Sequence, residues 1–267
     1  MELATATVSV PGSLDGKLQA IAEAGFSGVE VFASELEASG DDPATVRRRI
    51  DDLGMSVRTF MPFREFEALP EPRRSENFDR AERVFDIMQA LETDLLLVCT
   101  NVSPDTLPDR GRMIGDYRQL GERAAARGLR IGIEPLAWGT HVSDYRDGWK
   151  LVREVSLDSV GLILDNFHIQ ALRLPLDGIR DIPAAKIFDV QVSDAPMLDI
   201  DLISWSRRFR LLPGRGEFDL AGFADAIRAT GYDGVWSLET FDETAADLPS
   251  RQVATDAYAA LRDLVAG

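Results

Sequence analysis

IGIE at 131–134, VGLILD at 160–165, FDVQ at 188–191 and VWSLE at 235–239 decide the fold. Each is a short apolar run that ends on an oxygen-bearing side chain: Glu134, Asp165, Gln191 and Glu239. Near-continuous aliphatic runs of this length are the mark of strands covered on both faces, and such strands belong to parallel sheets. Working outward from these four, whose full bounds read Leu129–Glu134, Val160–Asp165, Ala184–Gln191 and Gly234–Glu239, similar runs precede them at Ala4–Val10, Gly28–Phe32, Ser56–Met61 and Asp94–Cys99. The spacing predicts helices between most of them. Leu14–Ala24 places Leu14, Leu18, Ile21 and Ala22 on one face, and Pro43–Leu53, Glu76–Leu91, Arg112–Arg127, Ser143–Val155, Asp219–Thr230 and Gln252–Val265 follow the same period. Gly25, Gly54, Gly128 and Gly231 stand where left-handed helix stops are needed.

AGFSGVEVF at 24–32 and TGYDGVWSLE at 230–239 repeat one pattern, a helix end, a glycine turn and a strand carrying Glu, at opposite ends of the chain. Eight strands joined by right-handed crossovers of about 30 residues fill the 267 residues as a (β/α)8 TIM barrel, an α/β fold, in a single domain over 1–267. An open doubly wound sheet is the alternative, and the Gly-rich fingerprint it calls for is missing after the first strand. The interval after Asp165 is the least regular, and 192–218 is the longest stretch without an assigned element. Long loops in compact domains are usually functional.

Composition narrows the function. Asp and Glu number 45 against 29 Lys and Arg, leaving a net charge of −16 that repels phosphate backbones and argues against nucleic acid as a partner. Cys99 is the only cysteine, which excludes an intrachain disulfide and multi-cysteine zinc or iron–sulfur sites. Two histidines, His141 and His168, exclude a centre that needs three imidazoles. MELATATVSV has no basic segment and no long apolar run, and no stretch reaches the roughly 18 apolar residues of a membrane span, so a cytoplasmic enzyme with no membrane contact is expected.

The active site of such a barrel lies at the C-terminal ends of its strands. There Glu134, Asp165, Gln191 and Glu239 converge. Any one alone reads equally well as a cap on loop amides. Together, three unpaired carboxylates repel, and a divalent cation is the natural resolution. Oxygen-only ligation favours Mg²⁺ or Mn²⁺, with zinc and cobalt left open. His168, three residues after Asp165, falls above this centre and is a candidate general base, because a neutral imidazole titrates near the operating pH. Gly214-Arg215-Gly216 reads as a tight turn rather than a nucleotide loop. Pro135 and Trp138 are expected to shape the pocket, and Trp236, alternating away from the site, to pack against helices.

IEPL at 133–136, LDNFH at 164–168, VQVSDAP at 190–196, LPGRGEFDL at 212–220 and SLETFDE at 237–243 resemble the sugar phosphate isomerase/epimerase family, whose barrel is called xylose-isomerase-like. The resemblance covers essentially the whole chain, from VSVPGSLDGKLQAIAEAGFSGVEVF at 8–32 onward. It implies metal ligands at Glu134, Asp165, Gln191 and Glu239. Many members carry His at the third position, so Gln191 is a departure that moves the expected ion from zinc towards magnesium or manganese. FMPFREFEALP at 60–70, VCTNVSP at 98–104 and SWSRRFRLLPGRGEF at 204–218 are similar, more narrowly, to the bacterial 3-dehydroshikimate dehydratases.

That narrower resemblance implies a lyase acting on a small ring carboxylate in aromatic catabolism, with protocatechuate formed through a metal-stabilised enolate and His168 taking the proton alpha to the ketone. Arg64 and Arg210 suit a planar carboxylate, with Ser206 beside them, and they would suit a sugar phosphate nearly as well. His141, seven residues after Glu134, is a further substrate-binding candidate, although a lone histidine is more often structural. Arg207 and Arg208 read as solvated loop arginines. The alternatives are an isomerase or epimerase on a keto-sugar, with Glu134 and Glu239 as an acid/base pair on opposite ring faces, an inosose-type dehydratase, and a non-catalytic barrel. DNA-repair endonucleases of the same barrel use three zinc ions, which two histidines cannot furnish. Such barrels commonly form homo-oligomers, an expectation of the family alone.

Overall fold

The computed structural model describes residues 2–267. Its strands and helices alternate as β1 (Leu3–Ala6), α1 (Leu14–Ala24), β2 (Gly28–Phe32), α2 (Ala33–Ser39), α3 (Pro43–Asp52), β3 (Ser56–Phe63), α4 (Arg73–Ala90), β4 (Leu95–Cys99), α5 (Arg110–Ala126) and β5 (Arg130–Glu134). They continue as α6 (Tyr145–Val155), β6 (Val160–Asp165), α7 (Asn166–Ala171), β7 (Ile187–Val192), α8 (Leu202–Arg208), β8 (Phe209–Arg210), α9 (Leu220–Ala229), β9 (Trp236–Leu238), β10 (Phe241–Asp242) and α10 (Ser250–Ala266). β1 to β7 and β9 form a closed parallel barrel, sealed where Leu3–Thr5 of β1 pair with Trp236–Leu238 of β9. The barrel expected from the apolar runs is the fold observed.

Alternation along the strands divides the core in two. In β4, Leu95, Leu97 and Cys99 face the barrel interior with Ala6, Met61 and Ile163, while Leu96 and Val98 join the larger cluster packed under the helices. Trp236 also faces outward, edge-on to Phe223 of α9. Seven helices start on a side chain that accepts a main-chain N–H, from Ser13, Asp42, Asp109, Asp144, Asp165, Asp201 or Asp219. Gly25, Gly54, Gly128 and Gly231 adopt positive φ, as their positions at helix ends require.

The structure differs from the sequence expectation mainly near the mouth. β1 stops at Ala6, and Thr7–Ser9 form a 3-10 turn in which the Thr7 hydroxyl accepts the Phe32 N–H and the Ser9 hydroxyl accepts that of Thr240. Helix α2 follows β2 without any turn residue and is too short to show a period. The stretch 192–218 is not all loop: α8 lies within it, and β8 pairs antiparallel with β10, Phe241 opposite Arg210. Among the described residues no helix is long and apolar enough to cross a membrane.

Candidate active site

A cavity of about 320 Å³ opens at the C-terminal mouth of the barrel, walled by Glu134, His168, Arg210, Ser206 and Glu239, with Arg64 and Arg207 towards solvent and Trp138 and Phe241 as apolar walls. Each polar wall residue follows from local structure. Glu134 ends β5, Glu239 follows β9, and Asp165 ends β6 while capping α7, its Oδ1 accepting the Phe167 N–H at 2.8 Å. That cap swings His168, one turn into α7, over the mouth.

Arg210 is the centre of the arrangement. Its Nη1 donates at 2.6 Å to both Asp165 Oδ2 and Glu239 Oε2, and its Nε donates to Ser206 Oγ at 3.1 Å. Its Nη2 lies 3.1 Å from His168 Nε2, and its guanidinium rests over the Phe167 ring. Asp165 therefore lies behind Arg210 and does not line the cavity. His168 Nε2 stands 3.6 Å from Glu134 Oε1 and 3.5 Å from Asp165 Oδ2, and the Ala137 N–H donates to its Nδ1 at 3.1 Å.

Burial dominates the electrostatics. It raises Glu134 to about 8, with the charges of Glu239 and Asp165 adding to the effect. Glu239 rises to about 7 for the same reason, against the opposing pull of Arg210, and Asp165 is raised too. Burial, then Arg210 and Arg64, hold His168 well below the ordinary imidazole value, so the ring is neutral at pH 7. Three carboxylates face one buried guanidinium. Their formal charges leave the inner shell two negative charges in excess, the charge of one dication.

The donor set fits such an ion. Glu134, Asp165 and His168 can each offer a ligand atom within 4.8 Å of the others. Gln191, paired in register with Asp165, is fully buried; its Nε2 donates to Glu30 Oε2 at 2.8 Å, and its Oε1 has no partner among the described residues. An orphaned buried carbonyl oxygen on a residue paired with Asp165 suits an oxygen-liganded cation. The structure thus brings together Glu134, Asp165, Glu239, His168, Arg210, Ser206 and Arg64, while Gln191 pairs in register with Asp165 and does not line the cavity.

Two expectations need correction. His141 does not line the cavity; it is exposed, and its Nε2 bonds the Thr106 carbonyl at 3.0 Å, because the loop after β5 carries it sideways over the β4–α5 connection. Pro135 packs against Gly148 of α6, where a Cβ would press on the proline ring, and does not reach the pocket. The tight turn of Gly214 and Gly216 is present, and it encloses the chain's own carboxylate. Asp194 accepts the N–H groups of Gly214 and Gly216 on Oδ2 and those of Ala195 and Phe218 on Oδ1.

Other residues, given no site role from the sequence, also lie at or below the cavity. Arg207 lines the cavity and has no carboxylate within ion-pair distance among the described residues, whereas its neighbour Arg208 is tied to Glu243 at 2.7 Å. Cys99 donates to Glu134 Oε2 at 3.2 Å. Glu30 on β2 and Asp189 on β7 are buried acids inside the barrel. Their signal was an acid at an inward position of an apolar strand; Asp189 stands two residues before Gln191 and so shares its face.

With this geometry in place, comparisons with known proteins are informative. A profile of the xylose isomerase-like TIM barrel family matches residues 18–264. The chain is 50% identical over 261 residues to a 3-dehydroshikimate dehydratase of Pseudomonas putida and 49% identical over 261 residues to one of Pseudomonas aeruginosa. Each alignment takes in 98% of this chain and 41% of the relative, so the chain spans about two fifths of the length of these curated relatives. A solved structure described as a xylose isomerase-like TIM barrel/4-hydroxyphenylpyruvate dioxygenase fusion protein superposes with a TM-score of 0.96 at 48% identity, over 99% of this chain and 43% of the other.

Proposed function

Because the chain belongs to the xylose isomerase-like TIM barrel family, whose members position their chemistry at the strand ends described above, we propose that it is a divalent-metal-dependent lyase that dehydrates 3-dehydroshikimate to protocatechuate. The observation that carries this reading is the half-identity over nearly the whole chain to two 3-dehydroshikimate dehydratases, joined to a cavity that sets guanidinium groups beside a neutral imidazole. Glu134, Asp165, Gln191 and Glu239 would hold the ion, with magnesium or manganese favoured by their oxygens. When bound, a divalent cation lowers the cost of negative charge developing on the substrate ketone.

The remaining work falls to the chain's own residues. Arg64 and Arg207, which form no ion pair among the described residues, together with Arg210 and Ser206, orient the ring carboxylate. Trp138 and Phe241 flank the ring and exclude water. His168 exchanges a proton with the substrate at Nε2. A neutral ring can accept from only one of its two facing donors. If it accepts from Arg210, the Nε2 lone pair can take the proton alpha to the ketone once the substrate displaces that bond. If it accepts from Ala137, Nε2 carries a hydrogen, and His168 is then the donor to the departing β-hydroxyl.

The test is growth of catechol absorbance from 3-dehydroshikimate with Mg²⁺ or Mn²⁺ in ²H₂O. Turnover abolished by chelator is expected, and absence of product with every divalent metal would overturn the assignment. His168→Gln is expected to lower kcat by about 10²–10⁴-fold. Loss of deuterium entry into recovered substrate in that variant marks His168 as the base. Retained entry with lost product marks it as the acid.

A further inference from the structure

Beneath the candidate metal centre lie four buried polar side chains, bonded in two pairs, that the proposed reaction does not use. Thr59 on β3 donates to Asp189 Oδ2 at 3.0 Å, and Asp189 Oδ1 accepts the Val190 N–H. Asp189 faces Glu30 on β2, and Glu30 Oε2 accepts from Gln191 Nε2 at 2.8 Å. All four side chains are buried, and Met61 Sδ, 3.7 Å from the same Nε2, is the amide's other neighbour.

An amide has two ends, and only its oxygen can ligate a cation. The acceptor below Gln191 decides which end is left. Because Glu30 Oε2 takes the NH₂ group, Oε1 is left without a partner among the described residues, on a residue that pairs in register with Asp165 of the neighbouring strand. We propose that Glu30 is a positioning residue that fixes the Gln191 amide with its oxygen towards the cation. This rests on the metal-dependent reading above and adds to it the device that makes a glutamine serve at that position. Partners behind a metal ligand are typically worth 10–100-fold in affinity.

The test is Mn²⁺ affinity of the full chain, read by electron paramagnetic resonance or calorimetry without substrate. Glu30→Met, of similar length and without an acceptor, is expected to weaken Mn²⁺ binding at least tenfold. Glu30→Gln, which retains one carbonyl oxygen for Gln191 and offers an NH₂ group to Asp189, is expected to stay within about threefold of the parent. Should the methionine variant fail to fold, Glu30→Ala carries the same expectation. Unfolding in chelator separates a collapsed barrel from a mis-set amide. Parent-like Mn²⁺ binding in Glu30→Met or Glu30→Ala overturns the proposal while leaving the metal-dependent reading intact. Equal weakening in Glu30→Gln and the apolar variant also overturns it, since charge rather than orientation would then be at work. A parent chain that binds no Mn²⁺ sinks both.

Discussion

Arg210 shows how much a single side chain is asked to do. One edge of its guanidinium is fixed on Ser206, and one nitrogen bridges Asp165 and Glu239. A lysine ammonium is a point charge and cannot keep both sets of bonds in one plane. Arg210→Lys is therefore expected to lower kcat/KM for 3-dehydroshikimate by about 100-fold, or about 2.7 kcal/mol, with the fold unchanged by circular dichroism; activity within threefold of the parent would remove Arg210 from the site. At this scale the sequence was readable where a side chain ended an apolar run, because strand direction and barrel geometry then dictate where it points. Glu134, Asp165 and Glu239 were found that way. Arg207 and Arg208 could not be told apart, since adjacent residues on a seven-residue helix point about 100° apart and no period says which faces the mouth. His141 was misplaced for a related reason: a loop's direction is set by what it packs on, which sequence spacing does not record.

At the scale of elements, the loops over the mouth are held by buried acids. Glu67, in the loop after β3, accepts the Asn101 N–H at 2.7 Å and the Tyr117 hydroxyl at 3.1 Å, and so pins the segment that carries Arg64. Burial raises Glu67 to about 7. An unfolded glutamate titrates near 4.5, so between these values the folded state binds the extra proton, and stability falls as pH rises from about 4.5 to 7. The shift corresponds to about 3 kcal/mol. Urea midpoints of the parent and Glu67→Gln are expected to diverge across this window, the parent losing ground at higher pH; parallel curves would contradict it. Asp194 clamps the other side, binding four main-chain N–H groups of 195–218 while its own main chain pairs with Leu211, next to Arg210. Asp194→Asn turns one acceptor oxygen into a donor facing donors. A fall of about tenfold or more in kcat/KM, with KM rising more than kcat falls, is expected if the loop then releases Arg210. The long helices were legible because one-sided burial imposes a period on them, and the eight barrel strands because burial on both faces leaves apolar runs. Helix α2, helix α8 and the β8–β10 pair were not, because two to seven residues are too few to show one.

For the whole molecule, the barrel's closure and the proposed ion are linked. The candidate ligands come from β5, β6, β7 and the residue after β9, four strands that are consecutive around the barrel and run up to the seam where β9 meets β1. In the unfolded chain these residues are separated by up to 105 positions, Glu134 to Glu239, and offer no common site. An ion that binds only the closed barrel stabilises it by mass action, about 2.7 kcal/mol when present at one hundred times its Kd. For a chain of this length each kcal/mol raises Tm by roughly 2–4 °C. Addition of Mn²⁺ to chelator-treated protein is therefore expected to raise Tm by about 5–10 °C, and Glu134→Gln should remove most of that rise. A Tm that ignores divalent cations would mean that the three carboxylates are balanced by Arg210 and by protons alone, and the metal-dependent reading would have to be given up.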